Sequence, residues 1–209
     1  MKLQHILMAD VIDSRKLKGN TVAEKLGIIV KDTNRLFKEN ILSPLTVTLG
    51  DEFQGVVDSP ETAIKIIISI EEKIIGTNCP FKLRYAFHSG VIETELNNKI
   101  AHGMIGKGLT DTRAILNYVK KDEDRFFIFS TGTSDFLNRL FILYRTFIDS
   151  WKQKDYKTIS LFLANNDYKK VASINKTTAS AMWKKRKALS IKEYNTIKQL
   201  ILQYVSGNI

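Results

Sequence analysis

The sequence predicts an α+β fold, a ferredoxin-like palm followed by a small all-α module, and three observations carry that expectation. Strand and helix patterns follow one another in the order βαββα before a long further strand pattern. The first 149 residues hold 20 Lys+Arg against 19 Asp+Glu, whereas residues 150 to 209 hold 12 against 3. The last 60 residues read throughout as short helices and turns. The expected domains are therefore residues 1–149, the palm, and 150–209, the helical module, with the boundary placed at the charge step. With 209 residues, 44% hydrophobic and 26% charged, the chain can bury a real core, and disorder is excluded. One cysteine, Cys79, excludes a disulfide scaffold. His5 and Asp10 interrupt the N-terminal apolar run before a secretory core forms, and no other run reaches membrane length. A cytoplasmic protein is expected.

Taken in order, Gln4 to Val11 reads as a buried strand that ends in the polar Asp13-Ser14-Arg15. Thr21 and Glu24 have capping-box spacing, and Val22, Leu26, Ile29, Val30, Thr33 and Phe37 then recur at helical period to about Asn40. Leu45, Val47 and Leu49 alternate with threonines as a strand with one wet face. Gly50-Asp51 followed by Phe53 to Val57 predicts a type II′ hairpin that displays Asp51 at its tip. Ser59-Pro60 opens an isoleucine-rich helix that stops at Gly76. A strand over Phe81 to Ile92, a glycine-rich loop over Gly103 to Gly108, a helix over Leu109 to Val119, a strand over Arg125 to Phe129 and a helix over Thr133 to Phe147 complete the palm. This βαββαβ kernel with extra elements places helices on one face of an antiparallel sheet.

If the first strand lies beside the hairpin, Asp10 at its exit and Asp51 at the hairpin tip converge on one edge. Two close carboxylates call for a shared cation, and an all-oxygen pair that leaves room for water and phosphate suits Mg²⁺ or Mn²⁺. The plainer reading is that both aspartates serve turns. Gly106 and its neighbours precede a helix and could offer backbone N–H groups to phosphate, but Gly108 follows the Gly106-Lys107 pair where a P-loop needs Ser or Thr. His88, His102, Cys79 and Ser89 lack the neighbours that metal or nucleophile chemistry needs.

The segments Ala9 to Arg15, Leu49 to Gly55 and Arg84 to Gly90, with Arg113 in a following helix, resemble the SatD family of bacterial proteins over nearly the whole chain. More distantly they are similar to the palm of class III nucleotide cyclases. That resemblance implies that Asp10 and Asp51 match metal ligands and that Arg113 matches a nucleotide-binding arginine. It also departs from the pattern: Val47 stands where such a palm has a base-reading lysine, and Leu109 where it has an asparagine. Gly50-Asp51-Glu52-Phe53 resembles the diguanylate cyclase hairpin, with Leu49 in place of its first glycine. Loss of donors that stabilise developing charge commonly costs about 10² to 10³ in rate each, so little cyclase activity is expected.

In the basic module, Asp155 to Ala164 and Tyr168 to Ile174 read as helices. Asn175 is a candidate for a left-handed turn and Thr177 a cap for a third helix with Ala179, Met182 and Leu189 inward. Ser190 and Glu193 form a capping box for the last helix. Two short helices around a tight turn match a helix-turn-helix, with Thr177, Thr178 and Ser180 near base edges and Lys184, Lys185 and Lys187 near phosphates of double-stranded DNA. The plainer reading is a helical cap on the palm with a soluble basic face. Trp183, where a polar residue is usual, could anchor the module on the palm or on a second subunit. The expected function is a DNA-binding regulator with a degenerate cyclase-like domain that binds a metal or a nucleotide ligand; the alternative is a Mg²⁺-dependent enzyme acting on a nucleotide. Both palm and helix-turn-helix suggest a homodimer, and the resemblance adds a small membrane protein as a partner.

Overall fold

The first strand, β1 (Leu3–Val11), carries Ile6, Leu7 and Met8 as an unbroken apolar run, which suits a strand covered on both faces. The computed structural model, which describes residues 3–17, 19–121, 124–129 and 134–207, shows both covers. Leu7, Ala9 and Val11 pack with Val22, Leu26 and Ile29 of α1 (Gly19–Leu36) and with Ile64 and Ile67 of α2 (Pro60–Gly76). Ile6 and Met8 point the other way, to Val56, Ala86 and Leu116 of α3 (Lys107–Val119). Helices therefore cover both faces of the sheet, against the one-face expectation.

Around β1 the sheet adds β2 (Ile41–Thr48), β3 (Glu52–Val57), β4 (Leu83–Val91) and β5 (Phe126–Phe129), in the order β2-β3-β1-β4-β5. The first four strands pair antiparallel, in a ferredoxin-like arrangement, and β5 pairs parallel to β4, which makes the sheet mixed. Two glycines seat α3. A Cβ on Gly108 would lie 2.6 Å from the Gly90 carbonyl carbon, and one on Gly90 would lie 2.5 Å from Gly108 Cα. Helix and strand backbones thus meet directly, which no larger residue allows.

Local signals explain most ends, and a few differ from expectation. Ser59 caps α2 as expected, its Oγ accepting from the Thr62 N–H at 3.2 Å. Helix α1 begins two residues before Thr21, so Thr21 and Glu24 lie inside it, and Lys38–Asn40 tightens into a 3₁₀ turn instead of continuing the helix. In the hairpin both Leu49 (φ 55°) and Gly50 (φ 83°) are left-handed. The turn is therefore built on Leu49-Gly50, and Asp51 begins the return of the chain where the expected turn had it at the tip. The expected start of the next helix, Thr133, lies outside the described residues; α4 is described over Ser134–Ser150.

Four helices follow: α5 (Tyr156–Ala164), α6 (Tyr168–Ile174), α7 (Ala179–Ala188) and α8 (Ile191–Val205). Tyr156, Ile159, Phe162, Tyr194, Ile197 and Ile201 belong to the same apolar core as α2 and β4. An aromatic path runs from Tyr85 of β4 through Phe126 and Tyr144 to Tyr194 and Trp151, with ring centroids 4.8 to 5.8 Å apart. Trp151 Nε1 donates to the Leu189 carbonyl at 2.8 Å.

Charge pairs reinforce this joint. Arg125 and Glu71, each with a side chain 4% exposed, form a two-pronged ion pair at 3.0 and 2.8 Å, and Arg125 also reaches Asp149. Burial opposes the Arg125 charge, but Glu71 and Asp149 outweigh it and raise its pKa. The neighbouring Glu72 faces α8, accepting from Tyr194 at 2.8 Å and pairing with Lys198 at 2.5 Å. No described helix is long and apolar enough to cross a membrane.

Candidate functional site

The β1–β3 pairing brings Asp10 and Asp51 to one end of the sheet. Asp10 lies directly across from Glu52, and the Val11 N–H donates to the Asp51 carbonyl at 2.8 Å. The two aspartate side chains then take different partners. Asp51 accepts from the Ser14 hydroxyl at 2.6 Å. Asp10, with its side chain 5% exposed, is paired at both oxygens: Arg84 Nε lies 3.0 Å from Oδ1 and Lys120 Nζ 2.8 Å from Oδ2.

Register explains the Arg84 contact. Asp10 stands between Glu52 of β3 and Arg84 of β4, a like-charge neighbour on one side and an opposite one on the other. Glu52 is compensated by Arg113 of α3. Lys120 follows the last residue of α3, and from there its ammonium reaches Asp10. Glu52, Arg84 and Lys120 are site residues that reading the sequence alone missed. A single chain gives no register between strands 40 or more residues apart, although the charge of Glu52 beside Asp51 was open to view. Among the described residues no group of three or more His, Cys, Asp or Glu is placed to hold a metal ion.

Beside this corner lies a groove of about 1100 Å³ between β2, β3, the 100–105 loop and the start of α3. Met8, Val47, Leu49, Met104 and Leu109 make it mainly apolar, and Glu52 and Arg113 mark one end. Val47 and Leu109, the two departures from a cyclase-like palm, thus both face the groove. The loop is stapled in place: Ala101 N–H donates to Thr46 Oγ1 at 2.8 Å, and Ser43 Oγ to the Asn97 carbonyl at 2.5 Å. Gly106 is the N-cap of α3, and a Cβ there would stand 2.6 Å from the Val91 carbonyl oxygen and from Ile92 Cα. Close packing therefore accounts for that glycine whether or not a phosphate ever approaches it.

The six residues assigned to DNA lie together at α7. Thr177, Thr178, Ser180, Lys184 and Lys187 are exposed, and Lys185 is half-buried with its ammonium 2.6 Å from Asp155. Met182 is the only buried residue of α7; Leu189 just beyond it also packs inward, while Ala179 faces out, unlike the expected inward set. The turn and cap are each displaced by one residue. Lys176 (φ 51°) is left-handed instead of Asn175, and Thr178 caps α7 instead of Thr177, accepting from the Ala181 N–H at 3.2 Å. Ser190 takes a left-handed φ of 50° to turn the chain into α8 and makes no side-chain cap. Trp183 is 43% exposed, and Lys187 Nζ lies 4.3 Å from its ring centre, so the indole does not anchor α7 on the palm.

The sequence matches the SatD family over residues 5–204. The chain belongs to the SatD family. No curated protein matches it. Solved structures similar to this SatD family chain include nucleotide cyclases. A bacterial light-regulated adenylyl cyclase aligns with 61% of the chain at 12% identity and a TM-score of 0.46, and the alignment spans only 43% of that cyclase. The monomeric guanylyl cyclase domain of the RhoGC fusion protein from the aquatic fungus Blastocladiella emersonii aligns with 66% of the chain and 86% of its own length, at 14% identity and a TM-score of 0.44. Adenylate cyclases of Trypanosoma brucei in their monomeric state align with 54% of the chain and 66% of theirs, at 10% identity and a TM-score of 0.40.

Proposed function

We propose that this SatD family protein is a regulator that binds double-stranded DNA through α7, with the palm as the body on which α7 is mounted. One observation carries the reading: α7 buries only Met182 and turns Thr178, Ser180, Lys184 and Lys187 outward. A helix held so lightly stands apart from α5 and α8, which bury three and four residues. Four residues, 175–178, connect it to the short α6, the spacing of a helix-turn-helix whose second helix enters the major groove. Polar side chains at its start suit base edges, and the lysines at its end suit phosphates. Lys185, engaged by Asp155, contributes less than its neighbours. A homodimer would present two such helices to two half-sites.

The test is binding of labelled duplex DNA as a function of salt. Affinity should fall with a log–log slope of about −0.9 per phosphate contacted. No duplex binding even at about 50 mM salt would refute the proposal.

The competing reading is an enzyme that takes a nucleotide into the groove beside Arg113 with Mg²⁺ or Mn²⁺ at Asp10 and Asp51. Apolar Val47 and Leu109 offer a base no hydrogen bond, and the carboxylate of Asp10 already has two partners. Incubation with nucleoside triphosphates and either ion should therefore give no cyclic product. Product formation that Asp51→Asn abolishes would reverse the order of the two readings.

A further inference from the structure

We infer that Arg84 and Lys120 stand in, charge for charge, for a divalent cation at the Asp10 corner, so that this corner folds and is held together without a metal. The resemblance to a cyclase palm assigns the charge balance here to metal ions. The side chains present do not fit that assignment.

The argument begins with a cost. Asp10 and Glu52 are direct cross-strand neighbours, and both are almost fully buried, at 4% and 6% exposure. Two carboxylates in such a position are stable only with compensating positive charge. A metal ion is one solution, and the chain carries another. Arg84 Nε takes Oδ1 of Asp10, Lys120 Nζ takes Oδ2, and Arg113 takes Glu52. Two single positive charges on Asp10 equal one divalent ion. With Asp51, which accepts from Ser14, the corner holds three carboxylates and three cations, a formal sum of zero.

Geometry makes this compensation durable. Arg84 is fixed opposite Asp10 by the backbone register of β1 and β4. Its side chain is 17% exposed, so it cannot swing freely into water. Lys120 is carried to the carboxylate by its place at the end of α3 and held there by the ion pair. A divalent ion bound to Asp10 needs a carboxylate oxygen at about 2.0 to 2.6 Å, and would there face both cations at short range. To enter, it must displace Lys120, the more exposed of the two at 38%.

The full-length protein can be titrated with Mn²⁺, with the free ion followed by electron paramagnetic resonance, alongside melting curves in EDTA and in Mg²⁺. The wild type should show no Mn²⁺ site that depends on Asp10 and the same melting temperature in both solutions. Lys120→Ala should create a site at least ten times tighter than anything in the wild type, and Asp10→Asn in the same background should remove it. Lys120→Gln, which keeps the packing of the stem, repeats the test if the alanine variant folds poorly. A wild-type Mn²⁺ site lost in Asp10→Asn would overturn the inference. So would Lys120 variants that fold and bind Mn²⁺ no more tightly than the wild type.

Discussion

The palm corner and helix α7 are both rich in charge, and they use it in opposite ways. At the corner every cation faces a carboxylate: Arg84 and Lys120 face Asp10, and Arg113 faces Glu52. On α7, Lys184 and Lys187 have no carboxylate within ion-pair distance among the described residues, and Lys187 rests on the Trp183 ring instead. Charge that is neutralised inside the chain contributes to folding and leaves little to attract a ligand, whereas charge left open to water costs little to keep and remains available to an anionic partner. A net charge of +10 is therefore a poor guide until each cation has been matched to its neighbour.

Substitutions should separate the two uses. The largest effect is expected at the buried pair between α2 and the residue before β5: Glu71→Gln leaves Arg125 short of a charge partner and should cost about 3 to 5 kcal/mol in urea denaturation. Gly108→Ala forces a methyl group against the Gly90 backbone and should cost about 1 to 3 kcal/mol by the same measurement. Lys184→Ala with Lys187→Ala should do the reverse. Stability should stay within about 0.5 kcal/mol of wild type, while the salt slope of DNA binding falls by about 2. Equal loss of stability and binding in that double variant would erase the contrast between corner and helix.

Acid should touch only the folding side. Burial raises the Asp149 pKa, but the Arg125 and Lys82 charges and hydrogen bonds outweigh it, and the net value lies below the usual 3.8. A depressed carboxylate stabilises the fold fully above its unfolded pKa and loses that contribution as pH falls through the folded one. Stability should thus decline below about pH 4, and Asp149→Asn should flatten that part of the curve. The smallest effect belongs to Lys185→Ala, whose half-exposed pair with Asp155 is expected to contribute about 0.2 to 1 kcal/mol.

Much of this architecture could be read before any coordinates, because its signals are local. The serine cap and proline start of α2, the hairpin glycine and the short helices after residue 155 each depend on a few adjacent residues. Two features were not legible, for different reasons, and a third carried a signal that was read otherwise. The partners of Asp10 come from tertiary structure more than 70 residues away, Arg84 through the β1–β4 register and Lys120 through the packing of α3 on the sheet. The capping-box spacings at Thr21 and Ser190 occur where the backbone already had other tasks, a helix begun earlier and a left-handed turn. The second layer of helix was signalled by the solid apolar run Ile6-Leu7-Met8, which alternation would have broken if one face of β1 were wet. Gly106 shows how a motif can mislead: its place before a helix suggests phosphate, while its neighbours show a packing constraint.

The indole of Trp151 lies 4% exposed between Tyr194 and the Leu189 carbonyl, just past the point where the charge composition changes. Anyone trimming the gene at that compositional seam would strip the underside of α2 and α4 of its cover and leave a sticky fragment. The smallest sample worth purifying is the whole polypeptide, and interrogating the basic portion means point changes made in place.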